Sequence, residues 1–329
     1  MKRAITALLA LVVGALALPA FAQTKVTIGT ARDPNLGAQI VIAREKGYFK
    51  EAGLDADIKY FPSGGDLMSA FVGGSIAYGS AGATPVLTVR SRPYPLRIIA
   101  QISDISGAQQ LLVKKPVTSL DSLRGKKIGL LRGTASEALF NSIAKAYGFD
   151  TASVQLVNMG PAEMITAFVR GDVDAVALWE PHSSKARKLG DAKTLISGTY
   201  NFMGAAPVAR RVYGDHALLF ASESTLKDQP AVTKSVLMAL EKANDFMEKN
   251  RGETVAILAK EYQLEPAEME GIMDVNRFTL RVDDQLVGDI DALAEFLLSI
   301  KRIPNPVQAK DAIDVTALKS MKPDLVKLP

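Results

Sequence analysis

Residues 69–85 read SAFVGGSIAYGSAGATP, and 97 positions later residues 166–181 read TAFVRGDVDAVALWEP. Each stretch carries a hydroxyl residue, Ala-Phe-Val, a Gly, an apolar run and a closing Pro. The likeness extends outward. Ile28-Gly29 stands opposite Ile128-Gly129, and AGLDADIKYFPSGGD stands opposite YGFDTASVQLVNMGPAE. Three matched strand-helix units in one order predict two similar α/β lobes, each able to bury its own core in a chain of this length.

Strands are predicted at 25–30, 56–61, 76–80 and 96–102 in the first half, and at 127–131, 154–157 and 175–178 in the second. Helices follow near 38–46 and after 66, 85, 136, 161 and 181. Strands alternating with helices of this length predict βαβ units and a parallel sheet. The chain is expected to change lobe near 103–109 and to cross back after 194–207, because residues 216–222 (HALLFAS) read as another strand. The expected lobes are 23–104 with 212–329, and 105–211. In the tail, Val232, Val236, Leu240 and Ala243 share one helix face, as do Ile290, Leu293, Leu297 and Ile300. These stripes are read as core packed on the first lobe.

The start is read separately. Lys2 and Arg3 precede an uncharged run over 4–18 and then Ala20-Phe21-Ala22, a small-x-small cleavage pattern. This is the layout of a secretory signal peptide spanning 1–22, and the run is too short for a membrane span. Removing 22 of the 329 residues leaves 307, with 37 basic and 35 acidic residues once Lys2 and Arg3 are subtracted from the 39. No concentrated basic face points to nucleic acid. The chain has no cysteine. Disulfides, thiol nucleophiles, Cys metal ligands and a lipid-modified N-terminal Cys are thereby excluded. A soluble, unanchored monomer outside the cytoplasm is expected.

In open α/β sheets ligands gather at the carboxyl ends of strands, where helix N-termini present unpaired N–H groups. Small and hydroxyl residues occupy those turns here. Candidate ligand contacts are Ser63 and Gly64, then Gly82, Ala83 and Thr84, then Gly133, Thr134, Ala135 and Ser136. Helix capping is the competing reading of each turn. Trp179, Glu180 and Pro181 end the second copy of the repeat. Trp179, the single Trp, could wall the cleft or belong to the core. Arg32, in the first loop, could meet an anion or lie in solvent. No H-E-x-x-H, P-loop, G-x-S-x-G or G-x-G-x-x-G stretch is present. Only His182 and His216 exist, without metal-ligand spacing, so neither metal nor cofactor is expected.

Residues 43–85, LDSLRGKKIGLLRGTASE (120–137) and AFVRGDVDAVALWEP (167–181) resemble the periplasmic solute-binding proteins of ABC importers, of the nitrate/sulfonate/taurine type. The resemblance implies a two-lobed periplasmic-binding-protein fold, type II-like, with two strand crossovers and C-terminal helices. It implies a small polar or anionic solute held by the loops at Gly82–Thr84, Gly133–Ser136 and Trp179–Pro181 and delivered to an ABC permease. Many members carry Asp before the last Pro. Glu180 departs from that, and its longer carboxylate could reach an amine or narrow the pocket. The thiamine-precursor branch has a Cys-rich element that this chain lacks, which argues against that enzymatic branch. Two rivals stand beside this reading. A transcription regulator's effector domain would need a DNA-binding segment, which is not seen. A secreted hydrolase would use His182 as base with Ser183 or Ser184.

Overall fold

The computed structural model describes residues 23–328, so the expected leader at 1–22 lies outside the described residues. In chain order the first part contains β1 (Thr24–Ala31), α1 (Pro34–Glu45), α2 (Tyr48–Glu51), β2 (Leu54–Phe61), α3 (Gly64–Val72), β3 (Tyr78–Gly82), α4 (Ala83–Arg90) and β4 (Leu96–Asp104). There follow β5 (Gln109–Lys114), β6 (Lys127–Leu130), α5 (Ala135–Tyr147), β7 (Gln155–Asn158), α6 (Pro161–Arg170), β8 (Ala175–Trp179), α7 (His182–Gly190), β9 (Ala192–Ser197), β10 (Tyr200–Asn201) and β11 (Val208–Ala209). The last part contains β12 (His216–Ser222), α8 (Glu223–Asp228), α9 (Pro230–Lys249), α10 (Arg251–Tyr262), α11 (Pro266–Val275), β13 (Arg277–Asp283), α12 (Asp284–Ser299), α13 (Ala309–Ala312), α14 (Thr316–Met321) and β14 (Val326–Lys327).

These strands form two seven-stranded sheets, ordered β2-β1-β3-β12-β4-β13-β14 and β7-β6-β8-β5-β9-β10-β11. Each sheet is the centre of one lobe. Five strands of one sheet match five of the other in order and direction. β1 runs parallel to β2 and β3, as β6 runs parallel to β7 and β8. The repeated sequence therefore ends equivalent strands, β3 and β8. The sheets are mixed rather than parallel. β12 is antiparallel to both β3 and β4, and β5 is antiparallel to both β8 and β9. Each of these strands follows a crossing with no α-helix between, only a single 3-10 turn (Ser106–Ala108) before β5, so nothing reverses it on entering its sheet.

The second crossing lies over 210–215. Residues 200–201 and 208–209 pair as a hairpin on the edge of β9. The two crossings touch, with Ile105 donating its N–H to the Asp215 carbonyl at 2.9 Å. Gly107 is required there, since a Cβ would lie 2.2 Å from the Val275 carbonyl oxygen.

Helix α1 is buried on all sides. Ala38, Ile40, Val41, Ile42 and Ala43 are fully covered because the helix is sandwiched between its sheet and α9 and α10. Each buried Ile or Val among them contributes about 1.5–3 kcal/mol. The tail stripes pack on the first lobe as expected, with Val236, Leu240, Ala243, Ile290, Leu293 and Leu297 buried; Ile300 is exposed. A smaller core of Leu112, Met164, Phe168, Val176 and Leu178 lies under α6 and α7.

Candidate functional site

The carboxyl ends of β1, β2 and β3 on one lobe and of β6, β7 and β8 on the other each open into a helix N-terminus. Asp33 caps α1, its carboxylate accepting from Asn35 N at 2.8 Å and Asn35 Nδ2 at 2.7 Å. The same Nδ2 donates to the Glu180 carbonyl at 2.7 Å, a buried bond from the first lobe to the second. Asn35 Oδ1 accepts from Asn276 Nδ2 at 2.6 Å, and its carbonyl accepts from Ser103 Oγ at 2.6 Å. Asn35 thus ties the start of α1 to the loop that begins α7.

Ser63 caps α3, accepting from Asp66 N at 3.1 Å and donating to Asp66 Oδ2 at 2.7 Å, and it is exposed. Gly64 adjoins the next turn, since a Cβ there would lie 2.8 Å from Pro85 Cγ. Gly82 begins α4 with open space where a Cβ would stand. Ala83 is buried. Thr84 Oγ1 is buried without a hydrogen-bond partner.

On the second lobe Gly133 has φ +71°, in the left-handed region that glycine tolerates. Its N–H donates to Glu137 Oε2 at 2.8 Å, and a Cβ would meet Arg302 Nε at 3.1 Å. Arg302 belongs to the chain after α12, so a first-lobe arginine lies over this loop. Thr134 caps α5, accepting from Ser136 N at 3.2 Å and donating to the Leu131 carbonyl at 2.7 Å. Ala135 opens that helix, half-buried. Ser136 Oγ donates to the Ala177 carbonyl at 2.6 Å and accepts from Leu131 N at 3.1 Å. Its hydroxyl pins β6 to β8.

Trp179 is half-buried, its ring edge-on to His182 with centroids 5.4 Å apart. Pro181 caps α7. Two expected contacts are engaged elsewhere. The Arg32 guanidinium stacks on Tyr60 at 4.6 Å and donates to the Glu261 carbonyl, both first-lobe groups. The Glu180 side chain is only 2% exposed. Its carboxylate accepts from Arg187 Nη2 at 2.6 Å, Ser184 N at 3.0 Å and Gln110 Nε2 at 3.2 Å, all within the second lobe. It therefore neither reaches an amine in the cleft nor narrows it.

The His182–serine arrangement of a hydrolase is not assembled. Ser183 Oγ is buried with no partner, and Ser184 Oγ accepts from Arg187 Nη2 at 2.7 Å. Burial and the Lys185 charge lower the His182 pKa against the opposing pull of Glu180. Among the described residues no His, Cys, Asp and Glu group could hold a metal ion, and no helix is long and apolar enough to cross a membrane. Sequence reasoning missed Asp33, Asn35, Asn276 and Arg302. Asp33-Pro34 did carry a signal, that of an N-cap followed by a first-turn proline.

The chain is similar to the taurine-binding periplasmic protein of Escherichia coli, 27% identical over 180 residues, 55% of this chain and 56% of that protein. It is similar to a 4-amino-5-hydroxymethyl-2-methylpyrimidine phosphate synthase of Saccharomyces cerevisiae, 26% identical over 219 residues, 63% of this chain and 62% of that enzyme. The crystal structure of the periplasmic aliphatic sulphonate binding protein of Escherichia coli shares the fold. Its TM-score is 0.76 at 21% identity, over 88% of this chain and 97% of that one. Residues 36–254 match the family model described as NMT1/THI5 like. With two equivalent lobes and a match over most of its length, the chain belongs to the NMT1/THI5-like family.

Proposed function

We propose that this protein is an extracytoplasmic solute-binding protein, not an enzyme. It captures a small polar or anionic solute between its lobes and delivers it to an ABC permease. The observation that carries this reading is the apposition of two equivalent sets of helix N-termini, joined across the lobes by Asn35 and the Glu180 carbonyl. Such termini favour anions, and the unpartnered Thr84 hydroxyl adds a donor. The named binding relatives support it, and the unassembled His182–serine pair speaks against hydrolysis. We assign contacts to Gly82, Ala83, Thr84, Gly133, Thr134, Ala135 and Trp179, with Ser63 and Gly64 at the rim. Ser136, Glu180 and Pro181 shape the loops. The lobes are 23–104 with 212–329, and 105–211. The mature protein is a periplasmic monomer, released by cleavage after Ala22.

A thermal-shift screen with nitrate, sulfonates, carboxylates and aromatic acids tests the reading, because a solute that binds only the folded state raises the melting temperature. No shift with any class would refute it.

Trp179→Ala separates wall from core. A cleft-wall aromatic is worth roughly 5- to 30-fold in affinity. Wild-type Trp179 emission should change saturably with solute, and the variant should melt near normally while binding weakly. Truncating a core Trp would instead cost about 3–5 kcal/mol of stability. An unstable variant whose folded fraction binds normally would remove Trp179 from the site.

A further inference from the structure

At the start of α7 the Glu180 side chain takes the place of its own carbonyl. In a regular helix Ser184 would donate its N–H to the carbonyl four residues back, that of Glu180. It donates instead to Glu180 Oε2 at 3.0 Å, and the main-chain ladder begins one residue later, with Lys185 N on the Pro181 carbonyl at 3.2 Å. Arg187 and Gln110 hold the carboxylate in that position. The Glu180 carbonyl is thereby released from α7. Among the described residues its one donor is Asn35 Nδ2, at 2.7 Å.

The donor is set in place from the other side. A carboxamide has two N–H donors and one acceptor oxygen. Asp33 Oδ1 takes one Asn35 N–H at 2.7 Å, and Asn276 Nδ2 donates to the Asn35 oxygen at 2.6 Å. Both partners belong to the first lobe, so the remaining N–H is held toward the second. Asn35 is buried at 2% exposure. A donor fixed before its bond forms loses little freedom in making it. Among the described residues this is the one hydrogen bond between the lobes away from the two crossings.

We propose that Asn35 and the Glu180 carbonyl form the latch of the cleft: their bond is made as the lobes close, is broken as they open, and sets how long a solute is retained. This rests on the solute-binding reading above. It gives Asn35 a positioning role outside the solute contacts assigned there. It also gives the Glu180 carboxylate a task, which is to keep its own carbonyl free for the other lobe.

The chain has no cysteine, so two spin labels can be attached selectively. Lys59→Cys on β2 and Glu163→Cys on α6 are exposed positions in different lobes. Double electron–electron resonance on the full mature protein, with no solute added, then reads the closed and open separations. The net worth of one hydrogen bond predicts that Asn35→Ala lowers the closed-to-open ratio about 3- to 10-fold. Ser103→Ala is the control. It removes the 2.6 Å bond from Ser103 Oγ to the Asn35 carbonyl inside the first lobe, so it should lower the melting temperature and leave the ratio unchanged. Asn35→Ser, whose hydroxyl stops one bond short of Nδ2, serves if Asn35→Ala does not fold. Equal ratios in wild type and variant, the same shift in Ser103→Ala, or a wild type found only at the open separation would each overturn the latch. Because no solute is used, none of these outcomes touches the solute-binding reading, which the thermal-shift screen decides.

Discussion

Arg211→Ala is expected to destabilise the protein by about 3 kcal/mol at neutral pH, the lower end of the cost of stripping one partner from a buried ion pair. Arg211 sits in the second crossing. Its guanidinium reaches Asp104 Oδ2 at 2.9 Å and Ser106 Oγ at 3.0 Å in the first crossing, and Asp289 Oδ2 at 2.5 Å on α12. One side chain thus fastens both connections between the lobes to the first lobe. Asp289 also pairs with His216 Nε2 at 2.8 Å and accepts from Gln285 at 3.0 Å. Without Arg211, two largely covered carboxylates lose one of their two counter-charges, His216 being the other. The melting temperature should fall by roughly 5–10 °C.

The pH dependence has a definite sign. Burial pushes the Asp104 carboxyl up, but the charges of His216 and Arg211 and the Ser106 bonds outweigh it, and its pKa lies below the ordinary value. Asp289 behaves alike, with the His216 hydrogen bond and the Arg211 charge outweighing burial. A carboxyl whose pKa is lowered on folding stabilises above its unfolded value, and that contribution is lost as pH falls through the folded one. In the variant burial meets weaker opposition, so acid relieves the penalty instead. The gap between the two proteins should narrow from pH 7 to pH 3.5. Asp215, raised to about 7 by burial, costs stability as pH rises from about 4 to 7. Equal melting temperatures at pH 7 would mean that the backbone bond between the crossings suffices.

The repeat was legible because β3 and β8 occupy the same place in equivalent sheets, so the same pattern of small and apolar residues suits both. The crossing strands were not. β5 and β12 read as ordinary strands, and only the absence of a helix before each betrays the antiparallel direction. The hairpin of Tyr200-Asn201 and Val208-Ala209 was not legible because its strands are too short to carry a strand pattern. Asn35 was hidden for a different reason. Its partner is a main-chain carbonyl 145 residues away, and a carbonyl has no sequence signature. The resemblance, with Asp in many members where Glu180 stands, implied a carboxylate that could reach the cleft. Its true partner, Arg187, lies two helical turns on, where (i, i+7) spacing along α7 brings the guanidinium back over the helix start.

Arg187→Ala should therefore act on the site through the protein's stability. The Glu180 carboxylate would keep Ser184 N and Gln110 Nε2 but lose its charge partner in a place water barely reaches. Gln110 would lose a donor too, keeping only Thr194 Oγ1 at 2.8 Å on its Oε1. Since Arg187 is partly exposed, the expected cost is about 3 kcal/mol. If the uncompensated charge is the cause, neutralising it must help. The double variant Glu180→Gln/Arg187→Ala should be more stable than Arg187→Ala alone by at least about 1 kcal/mol, although it carries one more substitution. The neighbouring loop gives a second readout. Glu180 fixes the first turn of α7 and, through its carbonyl, the bond to Asn35, so Trp179 should become more accessible to acrylamide in Arg187→Ala and recover in the double variant. Urea denaturation of the wild type, Glu180→Gln, Arg187→Ala and the double variant, with Trp179 quenching in each, decides the matter. Destabilisations that simply add would show that Glu180 and Arg187 act independently, and the carboxylate would then have no structural reason to be turned away from the cleft.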